Sequence, residues 1–141
     1  MIDVVNLQKD ITLDTAAYRK FVKILSKNVP DADGRPFTVA FINDERMRQL
    51  SEMFRGKDST TDVLSFPHSS DHFDPDNITL GDIVISVEQA KKQSAENGLT
   101  LDAEIKQLIL HGLLHLCGYD HETDAGDMNE RELTLRNILE I

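Results

Sequence analysis

The stretch His111-Gly112-Leu113-Leu114-His115-Leu116-Cys117-Gly118-Tyr119-Asp120-His121 constrains this chain more than any other. Two histidines four residues apart on a helix project from one face, because four residues advance just over one turn. Their imidazoles can hold a single cation from one side. Gly118 offers the stop, since a glycine just past a helix end takes the left-handed conformation at little cost. The turn it permits brings His121 toward the same ion from a third direction. Three neutral nitrogen ligands without an evident fourth suit zinc with an open position, one ion per chain. That is the catalytic arrangement rather than the closed structural one. The competing reading, a buried helix ending in polar histidines, leaves the third histidine behind the glycine unexplained.

The spacing His-x3-His-x2-Gly-x2-His is that of the metzincin proteases, but Gly112 stands where they carry a general-base glutamate. Glu104 lies on nearly the same side of the helix as His111. At about 1.5 Å rise per residue it is too far along the axis to ligate or act as base, so helix-start electrostatics are its expected role. Cys117 points away from His115 on an unbroken helix and reads as a small core residue. Asp120 either orients a ligand imidazole by accepting its hydrogen bond or stabilises the turn after Gly118. His68 and His72 repeat the four-residue spacing, but in a Ser/Asp/Pro-rich loop with no helix to align them, and read as solvated loop histidines. Arg55 and Lys57 bracket Gly56 just after a helix whose exposed face also carries Arg46 and Arg48. In a chain this acidic, a basic corner at a helix-to-strand loop is where a phosphate would go.

The formal charge of −10 excludes indiscriminate nucleic-acid binding, because repulsion from phosphate would be general. A polyanion must be met by a local patch, and a DNA partner is not expected. With 141 residues, 40% of them hydrophobic, residues 1–141 are expected to form one domain with an ordinary core. No apolar run approaches bilayer length and no charged-then-apolar leader opens the chain, so no membrane partner is expected. A single cysteine cannot form an internal disulfide, which fits a reducing, cytoplasmic setting.

The rest of the chain reads as alternating short strands and helices. Residues 2–7 form a strand, and Asp14 caps a helix with Ala17, Phe21, Ile24 and Leu25 on one face. Pro30 and the polar residues after it close that segment. Residues 37–42 form the second strand. Asn43 or Asp44 then caps a helix with Met47, Leu50 and Phe54 inward, and residues 61–67 form a third strand stopped by Pro67. Strand, helix and strand over 37–66 predict a right-handed βαβ unit with parallel strands. A polar loop leads to the fourth strand, Gly81 to Ser86, free to pair antiparallel with the third. Ser86 and Gln89 fit a capping box opening a helix that ends at Asn97-Gly98. Thr100 caps the motif helix, whose apolar surface is Ile105, Leu108, Ile109, Leu113 and Leu116. A last helix over about Ala125 to Leu139 turns Met128, Leu135 and Leu139 inward. The sum is an α+β domain with a small four-stranded mixed sheet, about five helices and a zincin-like His-x3-His metal helix.

With these residues in view, the chain resembles the YbeY family of bacterial metal-dependent endoribonucleases. His111 to His121 matches that family's His-Gly-x-Leu-His-Leu-x-Gly-Tyr-Asp-His signature throughout. Arg55-Gly56-Lys57-Asp58 with Thr61 to Pro67 matches a second block, and Gly81 to Ser86 a third. The resemblance implies an α+β fold, a metal bound by His111, His115 and His121, and single-strand-specific endoribonuclease activity. It also implies a part in the maturation of small-subunit (16S) ribosomal RNA and in ribosome quality control, with the small subunit and its RNA as partners. Arg55 matches a family arginine implied in activity on RNA, with Lys57 beside it as a second phosphate contact.

The expected chemistry is metal-assisted phosphodiester cleavage, with Arg55 holding phosphate by a fork of donors. Gly112 cannot serve as base, which leaves Asp82 and Asp120 as candidates. Two rivals stand beside this reading: a non-catalytic ribosome-assembly protein with a structural zinc, and a metalloprotease, which lacks the adjacent glutamate.

Overall fold

β-branched and aromatic residues build four strands, β1 (Val4–Asn6), β2 (Thr38–Ile42), β3 (Val63–Pro67) and β4 (Gly81–Ser86). They form one mixed sheet in the order β1-β2-β4-β3. The computed structural model describes residues 4–68, 79–120 and 125–141. β1 pairs parallel with β2, and β2 with β4, placing Val39 beside Ile83 and Phe41 beside Ile85. β3 runs antiparallel to β4, with Ser65 beside Ile83, as the loop connection allows.

The expected parallel pairing of the strands over 37–66 is not what forms. β4 inserts between β2 and β3, so those two strands are neither neighbours nor parallel. Burial explains the order. β4 is buried at almost every position and takes an interior place, whereas β3 is only half-buried and takes the edge. Pro67, which lacks a ladder donor, is tolerated on that edge.

The helices close with the anticipated caps. Asp14 accepts from Ala17 N ahead of α1 (Thr15–Asn28), and Asn43 from Arg46 N ahead of α2 (Asp44–Arg55). Ser86 does so for α3 (Val87–Asn97) and Thr100 for α4 (Leu101–Leu116). The capping box at Ser86 is only half used, because the Gln89 side chain donates to Asp44 Oδ2 at 3.0 Å instead. α5 (Asp127–Leu139) buries Met128 and Leu135 as expected, and also Glu132.

Two inward faces differ from expectation. α1 buries Tyr18, Phe21, Val22 and Leu25, leaving Ala17 and Ile24 exposed. Both sets have helical spacing, and the observed one puts the Tyr18 ring 5.3 Å from Phe41 and its hydroxyl 2.9 Å from Asp102 Oδ1. α2 buries Met47 and Ser51, with Leu50 half-buried and Phe54 60% exposed. This helix packs in a small cluster with Ile42, Val84 and Leu64 on one sheet face, and Phe54 reaches only the edge of the Phe66 ring.

The main core lies on the other face, where Val39, Phe41, Ile83 and Ile85 meet α1, α3, α4 and α5. α4 is its centre: Leu110 and Leu114 are buried along with Ile105, Leu108, Ile109, Leu113 and Leu116. No helix among the described residues is long and apolar enough to cross a membrane.

Candidate metal centre

α4 carries His111 and His115 on one face, with ring centroids 4.9 Å apart and planes at 78°. Between them Gly112 lets the helix settle onto β4. A Cβ there would stand 2.8 Å from Ile83 Cγ2, and Ser65 Oγ of β3 donates to the Gly112 carbonyl at 3.3 Å. A glutamate at 112 would therefore be driven into the sheet. The helix ends at Leu116, and Gly118 adopts φ +104° as its N–H donates back to the His115 carbonyl at 3.1 Å. His121, the third candidate ligand, lies outside the described residues, as does His72. Among the described residues no group of three or more His, Cys, Asp or Glu side chains is arranged to hold a metal.

The two described histidines are nonetheless oriented as ligands must be. His115 Nδ1 lies 3.1 Å from the Tyr119 carbonyl. A carbonyl only accepts, so Nδ1 carries the proton and the neutral ring's lone pair is on Nε2. His111 Nδ1 lies 2.6 Å from Glu132 Oε1, and Arg136 Nη2 holds the other carboxylate oxygen at 2.6 Å. Such a carboxylate fixes the ring and its tautomer, again directing Nε2 to coordination. Burial opposes ionisation of Glu132, but the His111 hydrogen bond and the Arg136 charge outweigh it and hold its pKa below the ordinary value. The donor chemistry thus fits zinc at His111 and His115.

The turn carrying the Tyr119 carbonyl is itself tethered. Tyr119 donates its hydroxyl to Asp31 Oδ2 at 2.8 Å, and Arg131 grips the same carboxylate at 2.6 and 3.0 Å. The Arg131 hydrogen bond lowers the Asp31 pKa, outweighing its partial burial. Cys117 packs at the edge of the core, where burial pushes its thiol up to about 11, unlike a thiolate ligand.

His111 and His115 line a cleft of about 410 Å³ with residues 61–65 and Arg55. Arg55 is thereby brought to the histidines. Lys57 is exposed and does not line this cleft, and Arg48 is engaged by Asp58 at 2.6 Å. Asp120 is exposed, and Glu132 and the Tyr119 carbonyl are acceptors that face the two described histidine rings. Asp82 does not reach the cleft. Its neighbour Ile83 faces Gly112, so by strand alternation Asp82 points to the opposite sheet face, where it accepts from Thr38 Oγ1 and pairs with His68 Nε2 at 2.9 Å. That removes it as a general base and gives His68 a partner on the strand surface. Glu104 lies in the acidic first turn of α4, as its expected helix-start role requires. It is 4% exposed and accepts from Asn97 Nδ2 at 3.3 Å.

Sequence reasoning missed Glu132, Arg136 and Asp31. A signal for Glu132 was present: Met128, Glu132, Leu135 and Leu139 share one helical face, and a carboxylate inside an apolar stripe requires a buried partner.

Comparison with known proteins places the chain in a family. A model of the family "Endoribonuclease YbeY" matches residues 3–140. The chain is 51% identical over 90 residues to the endoribonuclease YbeY of Nautilia profundicola, covering 64% of this chain and 62% of that protein. The match thus spans a little under two thirds of that relative's length. It is 44% identical over 121 residues to the endoribonuclease YbeY of Solibacter usitatus, covering 86% and 76%. The solution structure of TM1509 from Thermotoga maritima superposes with a TM-score of 0.63 at 25% identity, over 95% of this chain and 85% of that one. Because the family match runs almost from end to end, the chain belongs to the endoribonuclease YbeY family.

Proposed function

We propose that the protein is a single-strand-specific, zinc-dependent endoribonuclease that acts in the cytoplasm on small-subunit ribosomal RNA, during maturation and in ribosome quality control. The observation that carries the reading is that Arg55 lines the same cleft as His111 and His115, although the two segments are far apart in sequence. His111, His115 and His121 would hold the ion, with Glu132 and the Tyr119 carbonyl fixing the first two rings. Zinc, when bound, supplies Lewis acidity toward a phosphoryl oxygen. Arg55 holds the phosphate by its planar fork of donors, and Lys57 adds charge at the approach. The edge strand β3 forms the wall against which a single strand lies. A protease reading is disfavoured by Gly112, since its Cβ direction points into Ile83 rather than toward a substrate.

Turnover on a purified, labelled single-stranded RNA tests this proposal against a purely structural assembly role. Cleavage should disappear with chelator, return with zinc and be weak on duplex of the same sequence. Metal content should be about one zinc per chain and should fall in His111→Ala, His115→Ala and His121→Ala. A fully metallated protein that leaves single-stranded RNA intact would overturn the enzyme reading, and full occupancy in any one variant would remove that histidine from the site.

A further inference from the structure

A second cavity, of about 450 Å³, meets the cleft along His111 and Asp62, which line both. Its other walls include Asn97, Glu104, Gln107 and Leu108. The two spaces differ in their balance of charge. The cleft has Arg55 and both histidines beside Asp62, whereas the cavity adds a second carboxylate and two amides to Asp62 and His111, with Leu99, Leu108 and the Arg136 guanidinium completing its wall. Phosphate is disfavoured there because two carboxylates, Asp62 and Glu104, face one guanidinium, Arg136, which Glu132 already engages at 2.6 Å. A metal ion has no ligand set there, because no three acidic or histidine side chains among the described residues are arranged to hold one. What remains is a flat, uncharged group rich in hydrogen-bond donors, in a space of the size that small-molecule sites occupy.

We propose that this cavity is a nucleobase subsite, taking the base beside the phosphate held at Arg55, with Asp62 and Gln107 reading its amino-bearing edge. This rests on the RNA reading given above. Asp62 is well placed for the task because its loop is fixed: Oδ1 accepts from Val63 N at 2.8 Å and Thr61 Oγ1 at 3.2 Å. Glu104 is held by Asn97, so the cavity's acidic wall is preorganised rather than mobile. Carboxylate oxygens accept from the exocyclic amino groups of cytosine, adenine and guanine. Uracil has no amino group and would turn two carbonyl oxygens toward the acidic wall. The subsite therefore selects against uracil at one position, and it does so without any base contact from Arg55.

The test uses the zinc-loaded full chain and the four nucleoside 5′-monophosphates, with binding followed by the NMR signals of the Asn97 and Gln107 side-chain amides and the Leu108 methyl groups. CMP, AMP and GMP should shift those signals, with UMP at least roughly tenfold weaker, the factor expected for loss of one charge-assisted hydrogen bond. Asp62→Asn, which keeps an acceptor for Val63 N, should bring UMP level with the others, and Gln107→Ala should weaken the three amino-bearing nucleotides. Unmoved signals with all four nucleotides, or UMP binding equal to the rest in the wild type, would overturn the subsite. So would discrimination that survives in Asp62→Asn. Cleavage of RNA is scored separately: base discrimination without cleavage would sink the nuclease reading and leave the subsite, and cleavage without discrimination the reverse.

Discussion

At the scale of single residues, the site depends on groups that touch no substrate. Glu132 fixes His111, and its carboxylate is buried between that ring and Arg136. Truncating it frees the ring and leaves Arg136 without its partner. Glu132→Ala should weaken zinc binding by roughly 10–100-fold, and Glu132→Gln by less because it keeps an acceptor for Nδ1. Competition against a chromophoric chelator measures both; wild-type affinity in the alanine variant would mean the carboxylate does not orient the ring. Gly112 sets the distance between α4 and β4. Ala is the better helix former by about 1 kcal/mol, yet its methyl would press on Ile83 at 2.8 Å, and overpacking of a tight core costs about 1–3 kcal/mol. Gly112→Ala should therefore melt below the wild type, and the penalty should vanish when Ile83→Ala is already present.

At the scale of elements, the caps were readable because they are local: Asp14, Asn43, Ser86 and Thr100 each reach an N–H within their own first turn. The shared face of His111 and His115 on α4 was readable for the same reason, since it follows from spacing alone. Strand order was not. Which strand lies between β2 and β3 depends on β4 being buried on both faces, a property of the assembled layers. Phe54 fits the α2 stripe by period but falls past the edge of a narrow packing surface. Asp82 was misjudged because its sheet face depends on pairing and packing, and Asp31 was missed because its partners come from distant segments. Asp31 ties the turn after α4 to α5, and its lowered pKa makes the tie pH-dependent. The unfolded carboxyl titrates near 3.9. The stabilisation is thus present above that pH and is lost as pH falls through the lower folded value. Asp31→Asn should cost melting temperature at pH 6, and the gap to wild type should narrow steadily toward pH 2.5. A gap independent of pH would show that the ionised form contributes nothing.

At the scale of the whole molecule, the core and the site are separable. The buried apolar cluster draws on α1, α3, α4, α5 and the sheet, while His111 and His115 stand half-buried at its border. A chelated sample should therefore remain cooperatively folded, with a lower melting temperature because a native-state ligand has been removed. Absence of a cooperative transition at room temperature would instead make the site structural.

Charge sets the remaining constraint on how such a chain handles RNA. The molecule carries −10, and the cations near the cleft are few: Arg55 lines it, Lys57 is exposed two residues further along the chain, and Arg48 is spent on Asp58. For single strands the logarithm of affinity falls with that of salt by about 0.7 per phosphate neutralised. A patch of this size should give a shallow slope, corresponding to roughly two to four phosphates, and weak binding to naked RNA. Arg55→Glu should depress cleavage strongly while leaving bound zinc and melting unchanged, because the side chain is exposed and the histidines have their own supports in Glu132 and Tyr119. Arg55→Lys should recover only part of the rate, since it keeps the charge and loses the bidentate fork. Cleavage by Arg55→Glu at the wild-type rate would mean that the phosphate is held by other groups, and the cationic half of the site would have to be reassigned.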